Sequence, residues 1–126
     1  MTAHPGSDKL RQQIAQLTSQ YRVFQCVDCA QAIKAFLQSK GIHGKQIKLD
    51  LGVTDLPWAV IYDLKRQQQI STNGCHEGIA LRLDDQDIVF DNIDHQGIPR
   101  REWLENLTSP TLELGRGNFR VEETEF

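Results

Sequence analysis

Residues 75–92 read CHEGIALRLDDQDIVFDN, and this stretch decides the fold of the chain. Residues 79–83 alternate between large apolar residues and smaller or polar ones, which is typical of a β-strand. Residues 84–87 predict a turn, and residues 88–90 predict a returning strand. Because so short a connection favours antiparallel neighbours, the stretch predicts a hairpin. The hairpin places His76, at the start of its first strand, beside Asp91, at the end of its second.

The direction of the His76 side chain raises a difficulty. Simple alternation places His76 on the face of Ala80 and Arg82 rather than on that of Ile79. If only one face of the sheet were buried, the ring would point away from the core. Gly78 could carry a β-bulge that resets the register, and we take this bulge as a hypothesis.

Two polar residues at the end of the second strand compete to orient the imidazole. Asp91 and Asn92 both follow Phe90. An aspartate at a strand end is often only a turn-former. Because Asp91 has the opposite parity to Phe90, it avoids the face to which Phe90 points. We therefore rank Asp91 first and Asn92 second.

The rest of the pattern predicts an α+β fold, with amino-terminal helices packed on a small antiparallel sheet. The predicted helices cover residues 8–20, 26–40 and 100–107, and the other predicted strands cover residues 47–51, 58–64 and 119–121. Gly41 follows the second helix and predicts a left-handed end there. Trp103 is expected to anchor the third helix.

Length and composition limit the class of protein. A chain of 126 residues with 39% apolar residues predicts one domain over residues 1–126, with a disordered tail at residues 1–7 and an acidic tail at residues 121–126. The net charge of -3 and the lack of Lys/Arg runs argue against nucleic-acid and membrane partners. Three cysteines do not indicate a disulfide framework. We expect a cytoplasmic protein, or one delivered to other cells by an unconventional route.

Cys26 and Cys29 lie at the predicted start of the second helix. A helix amino end and a nearby imidazolium both favour a thiolate, and a carboxyl acceptor would fix the imidazole. The order thiol, imidazole, carboxyl therefore indicates a cysteine nucleophile. Either thiol could instead be a small buried hydrophobe, and Asp28 could cap a helix that begins later. We favour Cys26 and keep Cys29, with Gln25 or free backbone amides as candidates to hold an oxyanion.

The same residues allow two other interpretations. Cys26 and Cys29 have the spacing of metal ligands, and Cys75 with His76 could complete a zinc site. Adjacent side chains on an extended strand point to opposite faces, however, which argues against zinc. A redox pair is also disfavoured, because no strand precedes the helix as in thioredoxin. We therefore expect no metal and no organic cofactor.

Several segments together resemble the papain-fold toxin 2 family of bacterial polymorphic toxin systems, whose members also include small stand-alone proteins, many of them cyanobacterial. The segments that carry the resemblance are Phe24–Ala30, Gly41–Ile42 with Gly44, Ile70–Ile79, Val89–Asn92, and Gly97–Ile98 with Trp103.

The resemblance implies a papain-like fold and a Cys-His-Asp triad made by Cys26 or Cys29, His76 and Asp91. It also implies a cysteine peptidase, or a related acyl transfer such as deamidation, that acts on a protein substrate. Cys75 adds a third thiol beside the histidine, which could perturb or oxidise the site. The alternative is a catalytically inactive papain-fold module that binds a partner, such as an immunity protein or a homodimer mate.

Overall fold

The computed structural model describes residues 5–52, 59–113 and 118–126. Its helices are α1 (Pro5–Thr18), α2 (Cys26–Ser39), α3 (Arg100–Glu105) and α4 (Pro110–Glu113), and its strands are β1 (Lys45–Asp50), β2 (Ile61–Asp63), β3 (Gln68–Ser71), β4 (Cys75–Leu83), β5 (Gln86–Phe90), β6 (Ile98–Pro99), β7 (Leu107–Thr108) and β8 (Arg120–Glu125). None of the helices in the described ranges is long and apolar enough to cross a membrane.

The main sheet has five antiparallel strands in the order β6-β5-β4-β1-β8. The predicted hairpin is its centre, since β4 pairs with β5 from Ile79 opposite Phe90 to Leu83 opposite Gln86. Asp84 and Asp85 form the turn, and both have positive φ angles, of 50° and 65°. Two successive residues of this kind form the tight turn whose twist matches that of the strands it joins. The hairpin prediction is therefore confirmed, with a turn shorter than expected.

Both faces of this sheet are buried, which removes the difficulty over His76. Ile79 and Leu81 pack with Ile33 and Leu37 of α2 on one face. Ala80 packs on the other face, in a cluster that contains β1, β5 and α3 residues. A two-faced sheet buries side chains of either parity, so an inward His76 needs no irregularity.

The bulge expected at Gly78 is wrong. β4 pairs with β1 in continuous register, with His76 opposite Leu49 and Gly78 opposite Ile47. Gly78 instead makes room for a neighbour, because a Cβ built there would lie 2.8 Å from Val89 Cγ1 and 3.1 Å from Trp103 Cζ2. The glycine thus lets α3 approach the sheet closely.

Helix α2 places the two candidate thiols. Its buried residues are Cys26, Cys29, Ala30, Ile33 and Leu37, the three-to-four spacing of one apolar stripe. The helix ends as predicted at Gly41, with φ of 69°. The Ile42 amide donates to the Leu37 carbonyl at 2.9 Å and the Gly41 amide to the Gln38 carbonyl at 3.1 Å, which satisfies the last carbonyl groups.

A second, three-stranded sheet has the order β3-β2-β7. The strand predicted over residues 58–64 is reduced to Ile61–Asp63, and Trp58 lies outside the described residues. Strand β3 was not predicted, because its polar start follows directly on the polar turn at residues 64–67.

The two expected tails need correction. Residues 5–7 belong to α1, and Ser7 is 4% exposed, while residues 1–4 lie outside the described residues. The supposed acidic tail is strand β8, which pairs with β1 over its whole length. Glu123 of β8 forms ion pairs with Lys45 and Arg100, so cations of the sheet and of α3 offset its charge.

Replacing Gly78 with alanine should lower the free energy of unfolding by about 1–3 kcal/mol, because the new methyl group overpacks the contacts with Val89 and Trp103. Urea denaturation would measure this loss in the wild-type background and in a Trp103→Phe background. The smaller phenyl ring should reduce the loss caused by Gly78→Ala.

Gly41→Ala is the matched control for this pair of measurements. Among the described residues, leaving aside Gly41 and its two chain neighbours, no heavy atom lies within 4 Å of a Cβ built at Gly41, so the cost of about 1–2 kcal/mol comes from the positive φ. That cost should be equal in both backgrounds. An equal cost of Gly78→Ala in both backgrounds would contradict a direct contact with Trp103.

Candidate active site

The carboxylate of Asp91 lies at the centre of the candidate site and accepts four hydrogen bonds. Its Oδ2 atom accepts from His76 Nε2 at 2.7 Å and from the indole Nε1 of Trp103 at 2.8 Å. Its Oδ1 atom accepts from the backbone amides of Ile93 at 2.9 Å and Asp94 at 2.6 Å. Asp91 is only 2% exposed. A buried carboxylate with this many donors is fixed in position and favoured in its charged form.

His76 is fully buried and is held by two neighbours. Nε2 bonds to Asp91, and the ring lies 5.8 Å from the Trp103 ring, centroid to centroid, at an interplanar angle of 31°. Nδ1 is buried and has no partner in hydrogen-bond geometry among the described residues. Because a buried polar atom without a partner is costly, this nitrogen marks a position where a proton donor or acceptor is expected to act.

Cys26 is the cysteine whose side chain interacts with the His76 imidazole. It is the first residue of α2, is 8% exposed, and lines a cavity of about 120 Å³ together with His76. The Cys26 side chain interacts with the imidazole and raises the pKa of His76, although burial acts in the opposite direction.

The other two cysteines have different surroundings. Cys29 is fully buried in the apolar cluster beneath α2, and burial, followed by the charge of Asp91 and by Cys26, raises its pKa to about 12. Cys75 is partly exposed and lines the same cavity as Cys26. Burial and the nearby Asp50 raise the pKa of Cys75, and Lys48 opposes them.

Asn92 does not reach the imidazole in this structure. Its Nδ2 atom donates to the Arg22 carbonyl at 2.8 Å, so it ties the end of β5 to the loop that precedes α2. In the same loop, Gln25 Oε1 accepts from the Arg22 amide at 2.7 Å. Part of the Gln25 carboxamide is thus used inside the loop. The structure places Asp91 against His76 and Asn92 against the loop that precedes α2.

The hydrogen bond between His76 and Asp91 favours the charged form of both groups. Burial alone would raise the pKa of Asp91, but the hydrogen bonds donated by His76, by Trp103 and by the Asp94 backbone amide lower it to about 2. Burial alone would lower the pKa of His76, but Asp91 and then Cys26 raise it to about 10. An imidazolium bonded to a carboxylate is consequently the favoured state of this pair near neutral pH.

Sequence reasoning missed Trp103 as a member of the site. The indole was expected only to anchor α3, yet it donates directly to Asp91. A buried tryptophan whose N–H needs an acceptor was the available signal. Phe24, Val27 and Lys48 also line the cavity beside the thiol. A larger groove of about 520 Å³ lies elsewhere, against Phe126, and of its lining residues none is a cysteine.

The zinc alternative receives no geometric support. In residues 5–52, 59–113 and 118–126, no group of three or more His, Cys, Asp or Glu side chains is arranged to hold a metal ion.

The pair should give the protein a measurable pH dependence of stability. The stabilisation by His76 is fully present below its ordinary pKa of 6.5 and is lost as the pH rises through about 10. The free energy of unfolding should therefore fall by about 1–2 kcal/mol between pH 6.5 and pH 8 as the contribution of His76 decreases. Denaturant titrations across this range would measure it.

His76→Gln should flatten this slope, and His43→Gln, at an exposed histidine, should keep it. The stabilisation by Asp91 has the opposite pH dependence: it is present above the ordinary pKa of 3.8 and is lost as the pH falls toward about 2. A wild-type slope that persists in His76→Gln would contradict the charged pair.

Comparison with known proteins agrees with this architecture. Residues 9–108, which include α2, β4, β5 and α3, match the family described as papain fold toxin 2. No curated protein and no solved structure matches the chain. The α+β architecture is therefore that of a papain-like fold, and the chain belongs to the papain fold toxin 2 family.

Proposed function

We propose that this protein is a papain-like cysteine hydrolase that acts on a peptide or amide bond of a protein substrate. The observation that carries the proposal is the buried His76 ring, which bonds to Asp91 through Nε2, interacts with the Cys26 side chain, and has no hydrogen-bond partner for Nδ1 among the described residues. A thiol, an imidazole and a carboxylate in this order are the parts that nucleophilic catalysis by cysteine requires. Membership of a papain-fold toxin family supports the same reading.

Cys26 is the nucleophile in this proposal, and Cys29 is not. Cys26 lines the cavity that a substrate would enter, whereas Cys29 lies on the buried face of α2 and has no exposed surface. The imidazolium of His76 stabilises a thiolate at Cys26. The partial positive charge at the amino end of α2 stabilises it further. In contrast, the raised pKa of Cys29, about 12, keeps that thiol protonated.

The reaction begins when the Cys26 thiolate attacks the substrate carbonyl carbon. The first helical hydrogen bond of α2 is donated by Cys29 to the Gln25 carbonyl, so the amides of residues 26–28 precede it and are oriented toward the start of the helix. These amides are the candidates to stabilise the oxyanion. His76 then donates the Nδ1 proton to the leaving nitrogen, the C–N bond breaks, and an amine or ammonia departs, which leaves an acyl-enzyme on Cys26.

Water completes the cycle by attacking the acyl-enzyme. His76, now neutral, accepts a proton from the water, and the thiolate leaves from the second tetrahedral intermediate. Asp91 holds the ring throughout, because its Oδ2 atom bonds to Nε2 and its other contacts fix the carboxylate. A leaving peptide amine corresponds to a peptidase, and leaving ammonia corresponds to a deamidase. We also propose that this hydrolase acts as a toxin, in line with its family. The cellular compartment in which it acts stays a prediction.

Alkylation by iodoacetamide tests the nucleophile directly. Cys26 should react fast below about pH 7, where an ordinary thiol is mostly protonated, and His76→Ala should abolish the fast reaction. Cys26 and Cys29 lie in one tryptic peptide, residues 23–34, so a second cleavage before Asp28 is needed to read them separately by mass spectrometry.

His43→Ala serves as the control, since that histidine is exposed and is not one of the residues that line the cavity. Cys29 should react only after unfolding. Slow labelling of all three cysteines at acidic pH would sink the proposal and leave the alternative of a catalytically inactive papain-fold binding module.

Asp91→Asn should slow the alkylation of Cys26 at pH 6 by about tenfold or more, because a neutral amide no longer raises the pKa of His76. Asp94→Asn is a matched control, since it makes the same chemical change three residues later and keeps the backbone amide that bonds to Asp91. A similar loss in both variants would indicate general disturbance of the loop rather than loss of the Asp91 charge.

A further inference from the structure

Cys75 lies directly before His76 on β4 and has no part in the proposed reaction. Strand alternation gives it the parity of Ile79 and Leu81, the two residues that pack against α2. Cys75 therefore faces the side of the sheet on which α2 lies, at the end of β4 where α2 begins with Cys26. The two thiols line the same small cavity from its helix side and its strand side.

Access favours Cys75 over Cys29 as a partner for Cys26. Cys29 is one helical turn away from Cys26, but it has no exposed surface and packs among Ile33 and other apolar side chains. Cys75 is partly exposed and lines the same cavity as Cys26. An oxidant or a leaving water molecule can thus reach the space between Cys26 and Cys75.

We propose that Cys26 and Cys75 form a reversible disulfide when a hydroperoxide oxidises the active site. This inference rests on the proposed function, because it needs a reactive thiolate at Cys26. The disulfide removes the nucleophile from the reaction with substrate and returns it on reduction by a thiol. Cys75 is the resolving thiol of this modification site.

The chemistry balances in two steps. The Cys26 thiolate attacks the terminal oxygen of the hydroperoxide, an S–O bond forms, the O–O bond breaks, and the departing alkoxide or hydroxide takes up a proton. Cys75 then attacks the Cys26 sulfenic acid: an S–S bond forms, the S–O bond breaks, and the hydroxyl leaves as water with the Cys75 proton. For hydrogen peroxide, two thiols and one peroxide give one disulfide and two water molecules.

The second step should become faster as the pH rises. Burial and the charge of Asp50 raise the pKa of Cys75, while Lys48 opposes them, so the resolving thiol is mostly protonated at neutral pH. The amine of Lys48 is itself held by Glu77, at 3.7 Å from Oε1. Glu77 also acts to raise the pKa of Cys75, and Asp50 is the residue directly opposite Cys75 in β1.

The test is peroxide treatment of the full chain at neutral pH, followed by blocking of free thiols and digestion without reduction. Cleavage by trypsin and before Asp28 separates the Cys26 peptide, residues 23–27, from the Cys29 peptide, residues 28–34. Mass spectrometry should find the Cys26 peptide linked to the Cys75 peptide. Dithiothreitol should then restore the fast alkylation of Cys26 to its untreated rate.

Cys75→Ser is the informative variant. Fast alkylation of Cys26 below about pH 7, measured before peroxide is added, shows that the active site of this variant is intact. Peroxide should drive its Cys26 to sulfinic and sulfonic acids, which dithiothreitol does not reverse. Should this variant fail to fold, the peptide map of the wild-type protein decides alone.

Three results would overturn the inference: linkage of Cys26 to Cys29, a cross-link between two chains, or equal irreversible oxidation of Cys26 in wild type and Cys75→Ser. If Cys26 shows no fast alkylation before peroxide is added, the proposed function itself has failed. If the fast alkylation is present and the Cys26–Cys75 linkage is absent, only this inference has failed.

Discussion

The candidate site depends on one buried carboxylate and the donors that surround it. Asp91 joins the end of β5, the start of β4 and the indole of α3 through a single pair of oxygen atoms. The amides of Ile93 and Asp94 donate to the same carboxylate, so Asp91 also fixes the turn that follows it. Removal of one of these donors would leave a buried carboxylate with one hydrogen bond fewer. The loss would be costly, because water can hardly reach this charge to replace the bond. We infer that packing of the sheet, orientation of the histidine and charge of the site are linked through this residue.

The backbone around Asp91 explains how a small chain can hold such a charge. Gly78 lets Trp103 approach β4, and the indole then covers Asp91 and lies against the imidazole. Asn92 binds the Arg22 carbonyl and fixes the loop before α2, in which Phe24 has a positive φ of 75°. A non-glycine residue in this region carries strain of about 1–2 kcal/mol. The strain lies two residues before Cys26, where the loop must turn into the helix.

Much of this arrangement could be predicted from the sequence, because local patterns specify it. Alternation and a short polar turn predicted the β4–β5 hairpin, and the hairpin alone placed His76 near Asp91. Apolar spacing and Gly41 predicted α2 and its end. The sequence did not decide whether Cys26 or Cys29 is the nucleophile, because both lie on one helical stripe. Only their depth of burial distinguishes them: Cys26 lines a cavity, and Cys29 is fully buried on the inner face of α2.

The predictions that failed concern contacts between distant segments. The bulge at Gly78 was inferred because a sheet with one buried face was assumed, and no local pattern reveals that α3 covers the second face. The acidic residues of β8 resembled a tail, because their pairing with β1 depends on a long-range register and on cations at Lys45 and Arg100. Trp103 was recognised as an anchor, while the acceptor of its N–H depends on the packing of α3 against Asp91.

The central claim is that His76 is held as an imidazolium between Asp91 and Cys26. Nitrogen NMR of the protein labelled with ¹⁵N-histidine measures this directly, because the two ring nitrogens report their protonation separately. We predict that at pH 7 both nitrogens of His76 are protonated, that the ring titrates well above pH 6.5, and that Cys26→Ser and Asp91→Asn each lower this titration. A single neutral tautomer at pH 7 in the wild-type protein would contradict the account.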